Sequence, residues 1–278
     1  MYTPTLSLPA PAKINLFLHV LGQREDGYHL LQSLMTYLDF NDEISLTLRQ
    51  DGQIKRVGEY SVNEEHDLVI KAARLLQQQA SVAAGVEISY KKRIPMGAGL
   101  GGGSSDAATV LIGLNKLWDL RASRRKLEEV GLTLGADVPF FIRGESSFME
   151  GIGEILHPFH VTPRWFLVLN PGMGVSTAEV FRDPQLTRDA QPVKMSDFSG
   201  IVGRNDLRPV VIRHIPEVGQ LLEWLSKWGE AQMSGSGTSC FVAFDSEQAA
   251  YQAWTTKPKH YTGFIARSMD YHPLREWL

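Results

Sequence analysis

Apolar and polar residues alternate along 12–20 (AKINLFLHV), 43–49 (EISLTLR) and 86–90 (VEISY), the period-two pattern of strands with one buried face. Ahead of the third, Asp67 occupies a helix N-cap position, and Leu68, Ala72, Leu75, Leu76 and Gln79 form one face of the helix it opens. A glycine-rich loop then runs into a second helix. Ala107, Val110, Leu111, Leu114 and Trp118 share one side of it, with Ser104 or Ser105 at the cap and Asp106 in the first turn. Ser123 opens a short helix that ends near Gly131.

HPFHVTP at 157–163 has two prolines and no clear period, which places a boundary there. Beyond it WFLVLN reads as a buried strand, and Pro216 as the first residue of a helix carrying Val218, Leu221, Leu222, Leu225 and Trp228. CFVAF reads as a strand, Ser246 as the cap of a helix with Ala249, Ala250 and Ala253, and GFIARSM as a last strand. The order predicts two α+β domains, 1–158 and 159–278, meeting along a cleft.

With 278 residues and 43% apolar content the chain can bury a large core, and a net charge of −3 argues against a general nucleic-acid or membrane-surface role. KKR at 91–93 is too short for a basic patch. The single cysteine, Cys240, excludes an intrachain disulfide and any CxxC motif, which fits a reducing cytoplasm. MYTPTLSLPAP lacks the charged and apolar regions of a secretory signal, and no apolar run approaches the ~20 residues of a membrane span. The expectation is a soluble cytoplasmic protein, a monomer or weak homodimer. His157 and His160 lack a third ligand and read as surface residues, so no protein-held metal is expected.

Candidate chemistry concentrates in IPMGAGLGGGSSDAA, residues 94–108. Taken literally, Gly97, Gly99 and Gly102 match a dinucleotide fingerprint, but the loop follows an alternating strand and a polar KKR rather than a buried parallel strand. No Gly-Lys-Ser/Thr closes it, so it is not a Walker A loop. A flexible linker would not end in so well formed a helix start. Bare backbone running into a helix N-terminus suits an anion, because converging N–H groups and the helix dipole both favour phosphate. Asp106 in the first turn must then point away from phosphate or face a metal.

Three further segments carry polar groups with ordinary alternatives. PAKIN places Lys13 and Asn15 on one side of a strand, where a lysine commonly guards a sheet edge. GADVPFF places Asp137 in a turn, where an aspartate commonly bonds its own backbone. MSGSGTSCF at 233–241 is a second glycine–hydroxyl loop, or a tight turn before a strand.

In this order, residues 11–20, 95–108 and 233–241 resemble the three motifs of the GHMP kinases. DGYH beside PAKIN, together with GLTLGADVPFF, EGIGEIL and VFRDP, is similar to the branch acting on cytidine diphosphate methylerythritol. The resemblance implies a two-domain α+β GHMP kinase fold: an N-terminal domain of a ribosomal-protein type, a ferredoxin-like C-terminal domain, and an active site in the cleft between. It implies ATP-dependent phosphorylation of the substrate's 2-hydroxyl, with Mg²⁺ arriving on ATP. By the same resemblance Asp137 is the general base, Lys13 its charged partner, and Asn15 a holder of the methylerythritol part. His29 reads the cytosine edge, and Tyr28 and Phe181 sandwich the ring. Pro95, Met96, Gly97, Ala98, Gly99, Leu100, Gly101, Gly102, Gly103, Ser104 and Ser105 wrap the ATP phosphates. Leu68 and Met96 flank the adenine, and Lys92 offers backbone contacts. Where the family commonly has Asp-Asn-Leu this chain reads His66-Asp67-Leu68, which puts an acceptor-only carboxylate at the adenine position.

Other readings stay open on the residues: a GHMP kinase for homoserine or mevalonate, a nucleotide sensor without catalysis, or an NAD(P)-dependent enzyme. The set Tyr28, His29 and Phe181 argues against the first, and retention of Lys13 with Asp137 against the second.

Overall fold

The computed structural model describes residues 4–60, 62–197 and 203–278. Two long antiparallel strands, β1 (Thr5–Gln23) and β2 (His29–Arg49), form its spine. They are joined by a turn in which Arg24 N donates to Tyr28 O (2.7 Å) and Tyr28 N to Asp26 Oδ1 (3.2 Å). The Asp-Gly step of DGYH is thus the tip of a hairpin.

Strand β2 changes partners along its length. Its C-terminal half pairs with β4 (Gly85–Lys91), which continues in parallel to β3 (Ile54–Arg56). Its N-terminal half pairs with β5 (Ser147–Glu150), and β5 with β6 (Ile155–Pro158). Ser268 and Met269 at the end of β10 (Thr262–Met269) join its middle at Leu38 and Tyr37. Through β10 the sheet passes into β7 (Trp165–Asn170), β9 (Cys240–Phe244) and β8 (Gln232–Met233), all antiparallel.

Helices α1 (Leu68–Ala80), α2 (Gly102–Leu117), α3 (Arg124–Leu132) and α4 (Val138–Arg143) cover the first half of the sheet and share one apolar core with it. Helices α5 (Thr177–Arg182), α6 (Arg208–His214), α7 (Pro216–Leu225) and α8 (Glu247–Thr255) build a second core with β7 and β9. A third core, from Ala12, Ile14 and Leu16 to Phe166, Phe241 and Phe264, joins β1 and β2 to the C-terminal strands. No helix among the described residues is long and apolar enough to cross a membrane.

Several local expectations hold, and some shift. Asp67 caps α1 through Val69 N (2.9 Å), and Ser123 and Ser246 cap α3 and α8. The buried face of α1 is Val69, Ile70, Ala72, Ala73 and Leu76, while Leu68 and Leu75 are half-buried and Gln79 is exposed, because the sheet and α2 enclose the helix from one side of the expected stripe. Neither Ser104 nor Ser105 caps α2. The cap is Gly101, in left-handed conformation with no side-chain bond, and both serines lie inside the first turn. Helix α7 ends at Leu225, leaving Trp228 beyond it on the surface. The alternation of β1 does not mark a wet face. Ala12, Ile14 and Leu16 enter the third core and Leu18 and Val20 the second, and the polar positions Lys13 and Asn15 are each only 3% exposed although they line the cleft.

Candidate active site

The cleft occupies about 1310 Å³, more than the ~300–1,000 Å³ of a site for one drug-sized ligand. It is wide enough for two. At its centre Lys13 Nζ donates to Asn15 Oδ1 (2.5 Å) and lies 3.3 Å from Asp137 Oδ2. Register shifts between Pro11 and Lys13 and between Asn15 and Phe17 bracket the two strand residues, and such bulges re-aim side chains. Lys13 is no sheet-edge guard, since its backbone N–H donates to Leu100 O (3.0 Å) and the following residues of β1 pair with 203–206. Asn15 Nδ2 donates to Ser33 Oγ (2.8 Å), and Ser33 Oγ to Phe17 O (2.5 Å), so the amide orientation is fixed.

Asp137 precedes α4, yet its side chain makes no capping bond, so the ordinary explanation of a turn aspartate does not apply. Helix α4 is held by Tyr37, which stacks on Phe140 (4.5 Å) and donates from its hydroxyl to Phe140 O (2.7 Å). Tyr37 is also the strand partner of Lys13. One residue therefore anchors the element carrying the carboxylate to the strand carrying the ammonium. Asp137 is 35% exposed on its side chain, open to a ligand.

The glycine loop closes one wall. A Cβ at Gly99 would stand 2.0 Å from Ser234 O, and one at Gly101 within 3.0 Å of Phe141 and of the Lys13 stem. These two glycines allow the loop to pack on the 233–241 segment and over Lys13. A Cβ on Gly97 would meet nothing, leaving that backbone open to the cleft. Ser234 ties the motifs together, donating to Gly99 O (2.8 Å) and accepting from Asn15 N (3.2 Å).

Under the loop, Lys92 Nζ donates to Asp42 Oδ2 and to Asp106 Oδ2 (2.6 Å). Burial alone would lower the Lys92 pKa, but the two carboxylates outweigh it and leave it raised. Burial raises the Asp106 carboxyl above its ordinary value, Lys92 opposes that, and Asp42 adds to it. Asp106 lies beyond the first turn of α2, not within it as the sequence had placed it, and lines the cleft wall 3% exposed with Oδ2 held by Lys92.

The cleft has two ends. At one, Leu68, Met96, Tyr60 and Tyr90 form an apolar and aromatic slot, with the two tyrosines stacked at 4.0 Å. Asp67 lies behind it, 5% exposed, accepting from Val69 N, from Arg56 Nη1 (2.8 Å) and from Tyr90 OH (2.5 Å). Oδ2 takes two of these bonds and Oδ1 one, three of about four acceptor sites, so Asp67 anchors the strands and helix around the slot. At the other end stand Tyr28, 59% exposed, with His29 and Phe181, whose rings lie 5.0 Å apart.

The chain matches the family model described as GHMP kinases N terminal domain over residues 67–145, and the one described as GHMP kinases C terminal over 194–261. It is 50% identical over 273 residues to a 4-diphosphocytidyl-2-C-methyl-D-erythritol kinase of Thiobacillus denitrificans, covering 98% of each chain. With a protein of that same name from Pseudomonas syringae pv. syringae it shares 48% over 271 residues, 97% of this chain and 96% of that one. The chain belongs to the GHMP kinases, among the 4-diphosphocytidyl-2-C-methyl-D-erythritol kinases. A crystal structure of 4-(cytidine 5'-diphospho)-2C-methyl-D-erythritol kinase superposes with a TM-score of 0.82 at 32% identity, covering 95% of this chain and 99% of that one. A homoserine kinase of Cytophaga hutchinsonii shares the fold, with a TM-score of 0.71 at 15% identity over 96% and 95%.

Within this kinase the cleft gathers nearly every residue singled out from the sequence. Leu100 and Ser105 are the exceptions: the Leu100 side chain fills the third core, and Ser105 is fully buried. Lys92 reaches the cleft but commits its ammonium to the two aspartates. Sequence reasoning missed Ser33, Asp42 and Arg188, and reached Ser234 only as a member of the 233–241 loop. Ser33 is legible from the hairpin register once the turn at 24–28 is placed. Arg188 has no local signal, being 159 residues from its partner His29.

Proposed function

We propose that this kinase transfers the γ-phosphoryl group of ATP to the 2-hydroxyl of 4-diphosphocytidyl-2-C-methyl-D-erythritol. The products are the 2-phosphate and ADP, in non-mevalonate isoprenoid precursor synthesis. One observation carries the assignment of roles: Lys13, Asn15 and Asp137 meet between a glycine loop and a histidine–aromatic pocket in a single cleft. Asp137 takes the hydroxyl proton as the oxygen attacks phosphorus and the bond to the bridging oxygen of ADP breaks. A carboxylate so placed contributes roughly 10²–10⁴-fold. Lys13 has three donors, two of them engaged by Asn15 and Asp137, and the third faces the developing alkoxide. Asn15, oriented by Ser33, holds the methylerythritol part.

The ATP phosphates lie along Pro95 to Ser104, the adenine in the slot of Leu68, Met96 and the stacked tyrosines, and the cytosine at Tyr28, His29 and Phe181. Phosphoryl transfer asks mainly for positioning and charge neutralisation, which this arrangement offers. Among the described residues no three His, Cys, Asp or Glu side chains gather as a metal site, and Asp106 is engaged by Lys92. In the same reading Mg²⁺ arrives with the nucleotide. A division into domains near 158/159 and a cytoplasmic location belong to the same reading.

An ADP-release assay compares the cytidine substrate with homoserine and mevalonate. Turnover of the cytidine compound alone is expected, and comparable kcat/KM on either of the others overturns the substrate. Asp137→Ala should lose turnover while binding ATP; full activity removes the base assignment.

A further inference from the structure

The loop after α5 is fastened to the base pocket by one side chain. Arg188 donates from Nε to His29 Nε2 (2.9 Å), from Nη1 to Leu186 O (3.0 Å), and from Nη2 to the carbonyls of Phe181 (2.9 Å) and Asp183 (3.1 Å). On the far side the Asp183 carboxylate accepts from Arg213 Nη2 (3.0 Å) and is paired with His214 Nε2 (2.9 Å), so the loop is tied to α6 as well. A guanidinium has five donors and accepts nothing. His29 Nε2 must therefore offer its lone pair, and the proton of the neutral ring sits on Nδ1, which has no hydrogen-bond partner among the described residues.

We propose that Arg188 is a positioning residue that holds His29 as the Nδ1–H tautomer, so that the pocket presents a donor and selects cytosine over uracil. The inference rests on the reading of the substrate as a cytidine diphosphate compound. At N3 cytosine carries a lone pair and uracil a proton, so a ring donor pairs with the first and opposes the second. An Nε2–H ring, the form a free neutral imidazole prefers, would present an acceptor at Nδ1 and reverse that match. Burial lowers the His29 pKa, and the neighbouring Arg188 charge lowers it further, which keeps the ring neutral and its two nitrogens distinct. Of the other charged groups in this part of the cleft, Asp26 is paired with Arg24, and Arg182 projects from α5.

The test is ¹⁵N NMR of the histidines in the full-length protein, with Arg188→Met and Arg188→Lys beside the wild type. The same three proteins are assayed with the cytidine substrate, with its uridine counterpart and with ATP. Wild type and Arg188→Lys, which keeps a cationic donor, should show His29 protonated on Nδ1. Arg188→Met should shift to Nε2–H and raise KM for the cytidine substrate about tenfold, the loss of one well-placed hydrogen bond. Its cytidine-over-uridine preference should shrink, with KM for ATP unchanged. An Nε2–H ring in the wild type overturns the proposal without any variant. So does an Arg188→Met protein whose tautomer or base preference is unaltered. Failure of the wild type to use the cytidine compound would instead remove the substrate reading, and the NMR result would still decide the tautomer.

Discussion

Gly99→Ala and Gly97→Ala form a matched pair that separates packing from ligand access. Both glycines have positive φ, 75° and 62°, so an alanine at either costs about 1–2 kcal/mol in backbone conformation. Only at Gly99 does the new methyl meet an obstacle, the backbone oxygen of Ser234 at 2.0 Å, more than an ångström inside van der Waals contact. The two loops must part there, at an overpacking cost of about 1–3 kcal/mol. Parting them strains the bonds from Ser234 Oγ to Gly99 O and from Asn15 N to Ser234 Oγ, and so reaches the residues around the reacting hydroxyl. With about 2 kcal/mol separating the variants, Gly99→Ala should melt roughly 4–8 °C below Gly97→Ala. Steady-state kinetics should divide them as well. Gly97→Ala places its methyl in the open cleft and raises KM for ATP, whereas Gly99→Ala lowers kcat. Equal melting temperatures for the two would refute the loop-to-loop packing assigned to Gly99.

Asp106→Asn tests the buried cluster. The Asp106 carboxyl is raised from its ordinary 3.8 to about 7, so its contribution to stability is fully present below pH 3.8 and is lost as pH rises through 7. Lys92, held above its ordinary value, stays charged throughout that window. The asparagine variant should therefore be at least as stable as wild type at pH 8, with the denaturant midpoints converging below pH 4; a variant weaker at pH 8 contradicts the sign. Cys240 is fully buried and burial pushes its thiol well up, so a thiol reagent should label the native protein only as fast as it unfolds. Labelling at the rate of an exposed thiol would show the β9 core to be open.

Elements whose signal is local were legible in the chain. The caps at Asp67, Ser123 and Ser246 were read from side chains that bond backbone two or three residues on, and WFLVLN and CFVAF from their apolar content. Where the environment rather than the residue decides, the reading slipped. The buried stripe of α1 moved because α2 and the sheet enclose it, and Ser104 and Ser105 lost the cap because Gly101 adopts the left-handed turn three residues before the first of them. Asp67 could be placed at the helix start, but its bonds from Arg56 and Tyr90 depend on strands that only folding brings beside it.

The sequence by itself determined the chemistry available: a lysine and an asparagine two apart on a strand, an aspartate in a turn two residues before a proline, bare backbone before a helix, and DGYH downstream of PAKIN. Two-residue spacing and glycine content are local facts, and they survive folding unchanged. Only the tertiary structure decided what those groups do to one another. Tyr37 brings Asp137 to Lys13, Ser234 locks the two glycine loops, and Arg188 reaches across 159 residues to bond His29 Nε2. Each is a contact between distant segments, fixed by packing and by the need of buried polar groups for partners, and no short-range pattern encodes it.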